Sequence, residues 1–349
     1  MLMHRLVRGL TEFEIRVVTL SAPGAARFDA GGEISVRRVR APVWLGGGRM
    51  ALLNARSMLE ALQFRPDVTL SGHIVTSPAA WVIRRALGDR TVQYFYAKEI
   101  GARPRLSAFA ARHADESIVI SAYASSLIEA TGPIRAAPTL IPPGVDIPAD
   151  TDPLPAEHPT LLTIARLEDR YKGHDVVIRA LPLVRAKVPD VRWIVIGDGP
   201  LRAGLEQHAG ACGVLDSVRF LGAVSDEERN EWLRRTNVLV MPSRLPAGDF
   251  AGEGFGIVYL EAGIYGKPVV AGNVAGALDS VADSETGLLV DPTDHVDVAD
   301  AITRLLLDRE LARRLGDAGA ERAQSFAWPV ICARVEAVLF KQLEASTVA

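Results

Sequence analysis

The sequence predicts an α/β protein made of two doubly wound, Rossmann-like halves, because its length and its apolar pattern both favour that class. At 349 residues the chain is too long for one ordinary hydrophobic core, so two domains are expected. From residue 14 onward, short apolar runs alternate with segments of helical periodicity, which is the pattern of parallel sheets with crossover helices. The ligand of such a protein is expected in a cleft outside the carboxyl ends of the strands.

The N-terminal half, residues 1–150, is predicted to form the first domain. Its apolar runs predict strands at 15–20, 34–39, 68–70, 91–95, 117–120 and 139–141. Its segments of helical period predict helices at 49–63, 79–87, 105–113 and 125–131. Residues 151–159 contain three prolines and are predicted to be a linker.

The C-terminal half, residues 160–327, repeats the same alternation and is predicted to form the second domain. Its predicted strands lie at 160–165, 191–197, 218–222, 238–241, 267–271 and 287–290. The last segment, 328–349, predicts an amphipathic helix over 328–345 that packs back on the N-terminal domain.

Composition and charge exclude several classes of protein. A net charge of −3 argues against a nucleic-acid binder, which needs clustered Lys and Arg. The two cysteines, Cys212 and Cys332, are too few for a disulfide framework or a cysteine zinc site. Asp150 and Asp152 lie in the linker, so no metal site is predicted. No apolar run reaches the roughly 18 residues of a membrane span and residues 1–5 lack a signal-peptide core, so a cytoplasmic protein is expected.

The most informative segment is 253–261, where Glu253 and Glu261 flank a glycine-rich helix start. The N-terminus of a helix presents free N–H groups and the positive end of a dipole, which suit the phosphate oxygens of a sugar nucleotide. Eight helical residues would span about 12 Å, close to the distance from a donor sugar to the ribose of its nucleotide. One carboxylate could therefore bind each end of that ligand.

Two cations follow the first predicted strand of the second half. Arg166 and Lys172 lie in a strand-to-helix loop, where they could neutralise a diphosphate leaving group. The Gly-Asp-Gly-Pro turn at 197–200 has two interpretations, a nucleotide loop or a turn that needs glycine for its backbone geometry. The sequence allows two interpretations of His174: a surface residue at the start of a helix, or a residue beside the diphosphate.

Six short motifs of the second half occur together in this order: Ala-Arg-Leu at 165–167, Lys-Gly at 172–173, Gly-Asp-Gly-Pro at 197–200, Phe-Leu-Gly at 220–222, Met-Pro-Ser at 241–243 and the block at 253–261. In combination, these motifs resemble glycosyltransferase family 4, a family of retaining, metal-independent enzymes with the GT-B fold, in which two doubly wound Rossmann-like domains have parallel sheets facing across a cleft. The sequence of 253–262, together with Lys98-Glu99-Ile100-Gly101 and Ser121-Ala122-Tyr123, is similar to the phosphatidylinositol mannoside mannosyltransferase group.

The resemblance implies a role for each site residue. Arg166 and Lys172 would grip the donor diphosphate, and Glu253 would bind hydroxyls of the donor sugar, which makes these three the expected catalytic residues. Glu261 would bond the ribose. The expected contacts of the base and of the donor sugar with neighbouring backbone groups are at Leu221, Gly222, Gly254, Phe255, Gly256 and Ile257.

The same resemblance implies the reaction and its partners. A hexosyl group, preferably mannosyl, would move from a nucleotide diphosphate sugar to a hydroxyl acceptor. The favoured donor is GDP-mannose, with a UDP-sugar as the alternative, and no cofactor is expected. The acceptor would be a small molecule or a lipid-linked polyol, with at most peripheral contact at the inner membrane face.

Two departures from the family pattern concern the first half. Residues 1–10 correspond to the end of the first crossover helix, so the first strand and its glycine-rich loop are absent, which predicts a misplaced start or a fragment. Because that strand is central in a doubly wound sheet, both of its neighbours would keep unpaired backbone groups. Tyr96 stands where the family commonly has His, and either a packed tyrosine or a replacement for that His fits the sequence.

Two alternatives to the transferase prediction stay open at this level. A sugar-nucleotide 2-epimerase of the GT-B fold would need acid/base carboxylates in the first half, for which Glu99, Asp115 and Glu116 are the candidates. A non-catalytic sugar-nucleotide-binding remnant would fit the short N-terminus and Tyr96. His73 and His113 are interpreted as structural, since the sequence shows no partner for either.

Overall fold

A computed structural model describes residues 2–25, 29, 34–245 and 252–347. The chain divides into two compact units, the first made of Met1–Gly144 with Trp328–Ala349 and the second of Val145–Ala327. Among the described residues, no helix combines the length and the apolar character needed to cross a bilayer.

The described part of the first unit has six strands arranged in two separate parallel sheets. The strands are β1 (Arg16–Leu20), β2 (Ser35–Val39), β3 (Val68–Ser71), β4 (Arg90–Phe95), β5 (Glu116–Val119) and β6 (Thr139–Leu140). β1 pairs with β2, and β3, β4, β5 and β6 follow one another in the second sheet. The six predicted strands of this half are confirmed to within one or two residues at their ends.

The described helices of the first unit begin the chain, connect its strands or end the chain. They are α1 (Leu2–Gly9), α2 (Gly48–Phe64), α3 (Ser77–Leu87), α4 (Ala97–Ala102), α5 (Pro104–His113), α6 (Ala122–Glu129) and, at the end of the chain, α14 (Trp328–Thr347). The sequence analysis did not predict α4. This helix is only six residues long, too short for a 3.6-residue period to be visible. α14 contacts α1 and β4 within this unit, and the thiol of Cys332 lies 3.7 Å from the carbonyl oxygen of Leu6.

The two central strands of the larger sheet are more buried than the strands of the β1–β2 sheet. All four residues of β5 and five of the six in β4 are buried, as expected for parallel strands covered by helices on both faces. All five residues of β1, in contrast, are only half-buried. The small β1–β2 sheet is therefore incompletely covered.

A polar cluster occupies the carboxyl ends of β3 and β4. The carboxylate of Glu99 accepts from the backbone N–H of Tyr96 at 3.0 Å and lies 2.9 Å from His73 Nδ1, a partner that the sequence could not reveal. The Tyr96 ring stacks on Tyr94 with 5.5 Å between centroids. Burial raises the pKa of Tyr96 well above its usual value, so its hydroxyl stays protonated at neutral pH.

His113 packs its ring against Phe109 at 4.6 Å, in agreement with a structural role.

The described part of the second unit has six parallel strands in a single sheet. The strands are β7 (Thr160–Ile164), β8 (Arg192–Ile196), β9 (Val218–Gly222), β10 (Val238–Met241), β11 (Val269–Gly272) and β12 (Gly287–Val290). Their order in the sheet is β12-β11-β10-β7-β8-β9. The chain therefore moves from β7 to one side and later returns to the other, which creates a topological switch point between β7 and β10.

The helices of this unit pack around a core that includes the fully buried Trp193. They are α7 (His174–Lys187), α8 (Arg202–Ala211), α9 (Asp226–Arg235), α10 (Ile257–Ile264), α11 (Ala277–Ser280), α12 (His295–Leu307) and α13 (Arg309–Gln324). The two ends of the unit lie side by side, since Val145 and Ala327 form a β-bridge and the Val145 N–H donates to the Phe326 carbonyl at 2.9 Å.

Candidate functional site

The three predicted catalytic residues lie on loops at the carboxyl ends of parallel strands in the second unit. Arg166 and Lys172 follow β7, while Glu253 lies between β10 and α10. These are the two strands that flank the switch point, where open α/β sheets bind their ligands. The sheet topology thus brings together residues that are 81 positions apart in the sequence.

Lys172 and Glu253 form a direct ion pair between the Lys172 ammonium and the Glu253 carboxylate. Their side chains are only 16% and 11% exposed, so little water screens the pair. The Lys172 ammonium also lies 5.1 Å from the centre of the Tyr171 ring, a cation–π contact. In this structure the two candidate catalytic charges therefore neutralise each other.

Gly173 holds Lys172 against the loop that follows β10. Its φ of +79° is left-handed, and a Cβ at this position would lie 2.3 Å from the backbone oxygen of Pro242. Only glycine allows this close approach of the two loops. In the Lys-Gly motif, Lys172 therefore carries the charge, and Gly173 allows the close loop approach that positions Lys172.

Arg166 is placed differently from Lys172. Its side chain is 68% exposed and forms an ion pair with Glu168 at 3.4 Å. Among the described residues, no ion pair joins Arg166 to Glu253. An exposed and weakly held guanidinium of this kind remains free to meet an incoming anion.

The Gly-Asp-Gly-Pro turn packs tightly on the loop that carries Arg166. A Cβ on Gly197 would lie 1.9 Å from the Ala165 oxygen, and one on Gly199 would lie 2.5 Å from the Leu167 oxygen. These contacts favour the structural interpretation of the two glycines. The turn also reaches β9, because the Gly197 N–H donates to the Gly222 oxygen at 2.8 Å.

The helix after Glu253 begins later than the sequence analysis assumed. Gly256, with a φ of +87°, caps α10, and Ile257 is the first helical residue. The expectation that eight helical residues separate Glu253 from Glu261 is therefore wrong, since only the second half of that span is helical. The left-handed glycine turns the chain before the helix can form, so the estimate of about 12 Å does not apply.

A loop that the sequence analysis missed supports the backbone of Glu253. The Gly276 N–H donates to the Glu253 carbonyl at 2.9 Å. A Cβ on Gly276 would lie 2.3 Å from the Gly254 oxygen, so glycine is required there as well. In the sequence, the small-residue pair Ala275-Gly276 after β11 was the one feature that could have indicated this loop. In the structure, Ala275 has a left-handed φ of +53°.

Glu261 lies on α10 and is held by a residue of α9. Its carboxylate accepts from the Arg229 guanidinium at 2.9 Å, and its side chain is 21% exposed. Arg229 was also missed, because it comes one turn after the helix cap at Ser225 and looks like an ordinary surface cation in the sequence. The pairing fixes the direction of the Glu261 carboxylate.

Leu221 and Gly222 end β9, next to Arg202. The Arg202 guanidinium donates to the Phe220 oxygen at 3.1 Å. Gly222 has a φ of +76°, and a Cβ there would lie 3.4 Å from the same guanidinium. The residues expected to contact the base therefore lie on β9, at the edge of the sheet. β8 separates this strand from β7, which precedes the loop of Lys172.

His174 is buried and is not the surface residue that one interpretation assumed. Its side chain opens α7 at only 3% exposure, and its ring lies 6.3 Å from that of Trp193. Burial, assisted by the nearby Lys172 charge, lowers the pKa of His174 to about 4. The imidazole is therefore neutral at physiological pH. Within the ranges that the structure describes, no cluster of three or more His, Cys, Asp or Glu side chains is placed to hold a metal ion.

Family profiles match both halves of the chain. The profile "Glycosyl transferases group 1" matches residues 150–322, and "Glycosyltransferase Family 4" matches residues 1–148. The chain is 34% identical, over 84% of its length and 74% of the relative's, to "GDP-mannose-dependent alpha-(1-6)-phosphatidylinositol monomannoside mannosyltransferase" of Mycobacterium tuberculosis. It is 35% identical to the protein of the same name in Mycolicibacterium smegmatis, over 75% of this chain and 73% of that one.

Solved structures with low sequence identity share the fold. A glycosyltransferase from Rickettsia africae has a TM-score of 0.78 at 14% identity, covering 97% of this chain and 94% of its own. Anabaena Alr3699/HepE, solved in complex with UDP and glucose, has a TM-score of 0.77 at 19% identity, covering 97% and 95%. The profiles, the relatives and the fold agree: the chain belongs to glycosyltransferase family 4 and is a hexosyltransferase with the GT-B fold.

Proposed function

We propose that this enzyme transfers a mannosyl group, with retention of configuration, from GDP-mannose to a hydroxyl of an inositol-containing lipid. The donor and acceptor in the names of the most similar relatives support this assignment. The observation that carries it is the ion pair of Lys172 and Glu253 at the switch point between β7 and β10. A UDP-sugar is the alternative donor.

The paired charges suit the two ends of a sugar diphosphate. A diphosphate is a stronger partner for the Lys172 ammonium than one carboxylate, and sugar hydroxyls can donate to the Glu253 carboxylate. Donor binding would therefore replace one ion pair by contacts of both residues with the ligand. Arg166, exposed and held only by Glu168, adds a second cation to the diphosphate.

These cations would act on the transition state. As the bond between the sugar and the diphosphate breaks, negative charge grows on the departing diphosphate and positive charge on the sugar ring. Lys172 and Arg166 stabilise the former, and the acceptor oxygen then attacks the sugar from the face that the diphosphate leaves. Because these two cations neutralise the diphosphate, transfer is proposed to proceed without a divalent metal.

Glu261 is proposed to bond the ribose, and Arg229 to position Glu261. The 2.9 Å contact leaves one carboxylate oxygen of Glu261 available to accept from ribose hydroxyls. The backbone around Gly254 and Gly256, together with Leu221 and Gly222, would complete the donor site.

A ligand panel tests the donor. Melting temperatures of the purified chain are compared with GDP, UDP, ADP and their sugars, since a ligand that binds only the folded state raises the melting temperature. We expect the guanine nucleotides to give the largest rise. Glu261→Ala should cancel the rise, whereas Glu321→Ala, at an exposed site on α13, should preserve it. A larger rise with UDP-sugars would reassign the donor.

Turnover separates catalysis from mere binding. Radiolabelled GDP-mannose is incubated with vesicles that contain phosphatidylinositol mannosides, and label in the lipid phase is measured. Transfer would exclude the non-catalytic alternative. Donor binding with neither transfer nor hydrolysis would support that alternative instead.

Two of the three carboxylates that the epimerase alternative would need are already engaged in the first unit. Asp115 forms ion pairs with Arg84 at 2.6 Å and Arg135 at 3.1 Å, and Glu116 is buried and contacts Thr139 at 3.2 Å. Burial alone would raise the pKa of Asp115, but the bonds from Arg84 and from a backbone N–H hold it below its usual value. A carboxylate fixed in this way is poorly suited to shuttle protons.

A membrane contact is proposed at an exposed turn of the first unit. Val43 and Trp44 are 79% and 82% exposed, and the turn 43–45 contacts α2, which exposes Leu59 and Leu62. Apolar side chains on a surface fit the interface of a bilayer that contains the acceptor lipid. Trp44→Ser should reduce sedimentation with phosphatidylinositol vesicles; unchanged sedimentation would exclude this turn.

A further inference from the structure

One arginine after β10 contacts the chain on both sides of Lys172. The backbone N–H of Arg244 donates to the Tyr171 carbonyl at 2.8 Å. The Arg244 guanidinium contacts both carboxylate oxygens of Asp175, at 2.9 and 3.0 Å. Tyr171 comes directly before Lys172, and Asp175 comes three residues after it. Arg244 therefore holds both ends of segment 171–175, which carries one of the candidate catalytic cations.

The backbone around Lys172 has little regular structure of its own. Arg170–Lys172 forms a single 3₁₀ turn, and α7 begins only after Gly173. The hydrogen bonds of this turn are long, with 3.3 Å from the Lys172 N–H to the Asp169 carbonyl and 3.4 Å from the Gly173 N–H to the Arg170 carbonyl. Hydrogen bonds in 3₁₀ turns also have poorer geometry than those of an α-helix. The position of Lys172 therefore depends on contacts with other loops.

The ion pair of Arg244 and Asp175 is suited to persist when a ligand binds. Its side chains are 22% and 38% exposed, so part of the pair is shielded from water. Asp175 lies in the first turn of α7, where the positive end of the helix dipole stabilises a carboxylate. Asp175 thus binds Arg244 from a position that already favours its charge.

Lys172 is proposed to exchange its partner when the donor arrives. In the ligand-free enzyme its ammonium is held by the Glu253 carboxylate. Once a diphosphate takes over the ammonium, this contact no longer fixes the loop. Misplacing a reacting group by about 1 Å can cost about a hundredfold in rate. An attachment that does not involve Glu253 would keep Lys172 directed at the diphosphate.

We propose that Arg244 is a positioning residue for Lys172. It holds segment 171–175 at both ends, so that the Lys172 ammonium can move from Glu253 to the diphosphate while the backbone stays in place. Arg244 acts through this segment and does not itself touch the donor. This role rests on the proposed function, which assigns the donor diphosphate to Lys172.

Calorimetry with GDP and with UDP tests this role without requiring turnover. Dissociation constants are measured for the wild type, Arg244→Met, Arg244→Lys, Lys172→Met and the double variant Lys172→Met, Arg244→Met. Residues that act through one another give non-additive effects in such a cycle. The kcat and KM for GDP-mannose are measured on the same proteins.

We expect Arg244→Met to raise the Kd of the preferred nucleotide and to lower kcat, each by about tenfold, because the cation is displaced and not removed. Arg244→Lys keeps a cation beside Asp175 and should recover part of both losses. In the Lys172→Met background, Arg244→Met should change Kd and kcat by no more than about twofold, because the group that it positions is already gone.

The matched control is Arg185→Met, at the other end of the same helix. Arg185 lies in the last turn of α7, contacts an Asp216 carboxylate oxygen at 2.9 Å and donates to the Gly213 carbonyl at 2.9 Å. Its removal also breaks an ion pair, but one that is remote in the fold from Lys172. Arg185→Met may lower the melting temperature and should leave Kd and kcat unchanged.

Asp175→Asn is the second variant, and it keeps the test decisive if Arg244→Met fails to fold. It weakens the ion pair but leaves the Arg244 guanidinium in place. If Arg244 positions Lys172, Asp175→Asn should weaken nucleotide binding and lower kcat in the same direction as Arg244→Met. If Arg244 instead bound the donor directly, its release from Asp175 should leave nucleotide binding unchanged or tighter, which would overturn the positioning role.

Two further results would overturn this role and leave the proposed function intact. Additive losses for Arg244→Met and Lys172→Met would mean that the two cations act independently. Equal losses of Kd and kcat in Arg185→Met and Arg244→Met would reduce the effect to general stability. A wild type that binds neither GDP nor UDP would overturn the donor site and this role together. The expected coupling in nucleotide binding, without mannosyl transfer by the wild type, would support the role while the proposed function fails.

Discussion

Replacing Lys172 by methionine should affect both folding and catalysis, because this side chain has a partner before any ligand arrives. Methionine keeps most of the length of the side chain but removes the charge, which leaves the Glu253 carboxylate without its ion pair. Breaking a fully buried pair costs about 3–5 kcal/mol, and an exposed pair contributes about 0–1 kcal/mol. With exposures of 16% and 11%, the Lys172–Glu253 pair lies between these limits, so we expect a loss of about 2 kcal/mol.

The loss should be visible in the melting temperature of the ligand-free enzyme. For a domain of this size, each kcal/mol lowers the melting temperature by about 2–4 °C, so a fall of about 4–8 °C is expected. The double variant Lys172→Met, Glu253→Gln removes both charges and should melt closer to the wild type, because no uncompensated charge remains. The matched control is Arg166→Met, which should melt within about 2 °C of the wild type because Arg166 is 68% exposed.

The order of these variants by kcat should differ from their order by melting temperature. Removing a group that stabilises charge in the transition state typically costs 10²–10³ in kcat, so Lys172→Met and the double variant should both lose about that factor. Arg166→Met should weaken donor binding and also lower kcat, because Arg166 is proposed to stabilise the departing diphosphate, but it should not lower stability. Equal melting temperatures for Lys172→Met and Arg166→Met would refute the ion pair, and an unchanged kcat for Lys172→Met would refute its catalytic role.

Three further predictions concern the surroundings of the pair. Gly173→Ala should destabilise the enzyme by about 1–3 kcal/mol and weaken donor binding, both measured by thermal melts with and without GDP, because alanine cannot adopt this φ beside the Pro242 oxygen. Arg229→Met should raise the donor Kd in calorimetry while Arg229→Lys restores part of the affinity; no change in either would show that Glu261 needs no positioning. Because the pKa of His174 is about 4 when folded and higher when unfolded, stability should be complete above pH 7 and fall between pH 7 and 4, by about 2 kcal/mol at pH 5. Denaturant titrations should show this loss reduced in His174→Gln, and an identical pH profile would contradict the buried neutral imidazole.

The strand pattern was predictable because parallel strands leave a strong local signal. A run such as Val238–Met241, buried on both faces, is apolar at every position and needs no knowledge of its neighbours. The order of the strands in the sheet is not encoded locally. The switch point between β7 and β10, which brings Lys172 to Glu253, became visible only in the fold.

The supporting residues of the site were harder to predict for a related reason. Arg229 and Gly276 have common residue types at positions without special spacing, and their roles depend on partners 32 and 23 residues away, Glu261 and Glu253. The burial of His174 is a further case, since a residue that opens a helix is usually solvated, yet here the ring packs near Trp193. Long-range packing decides such positions, and the sequence shows only local preference.

The side-by-side ends of the second unit have a practical consequence. Since Val145 and Ala327 form a β-bridge, the two ends of residues 145–327 lie next to each other, and both connections to the rest of the chain are made there. A segment with adjacent ends can be removed or exchanged with little strain on its host. We therefore expect residues 145–327 to fold when expressed alone. If this unit holds the donor, as proposed, exchanging it between relatives should change the donor that the enzyme uses.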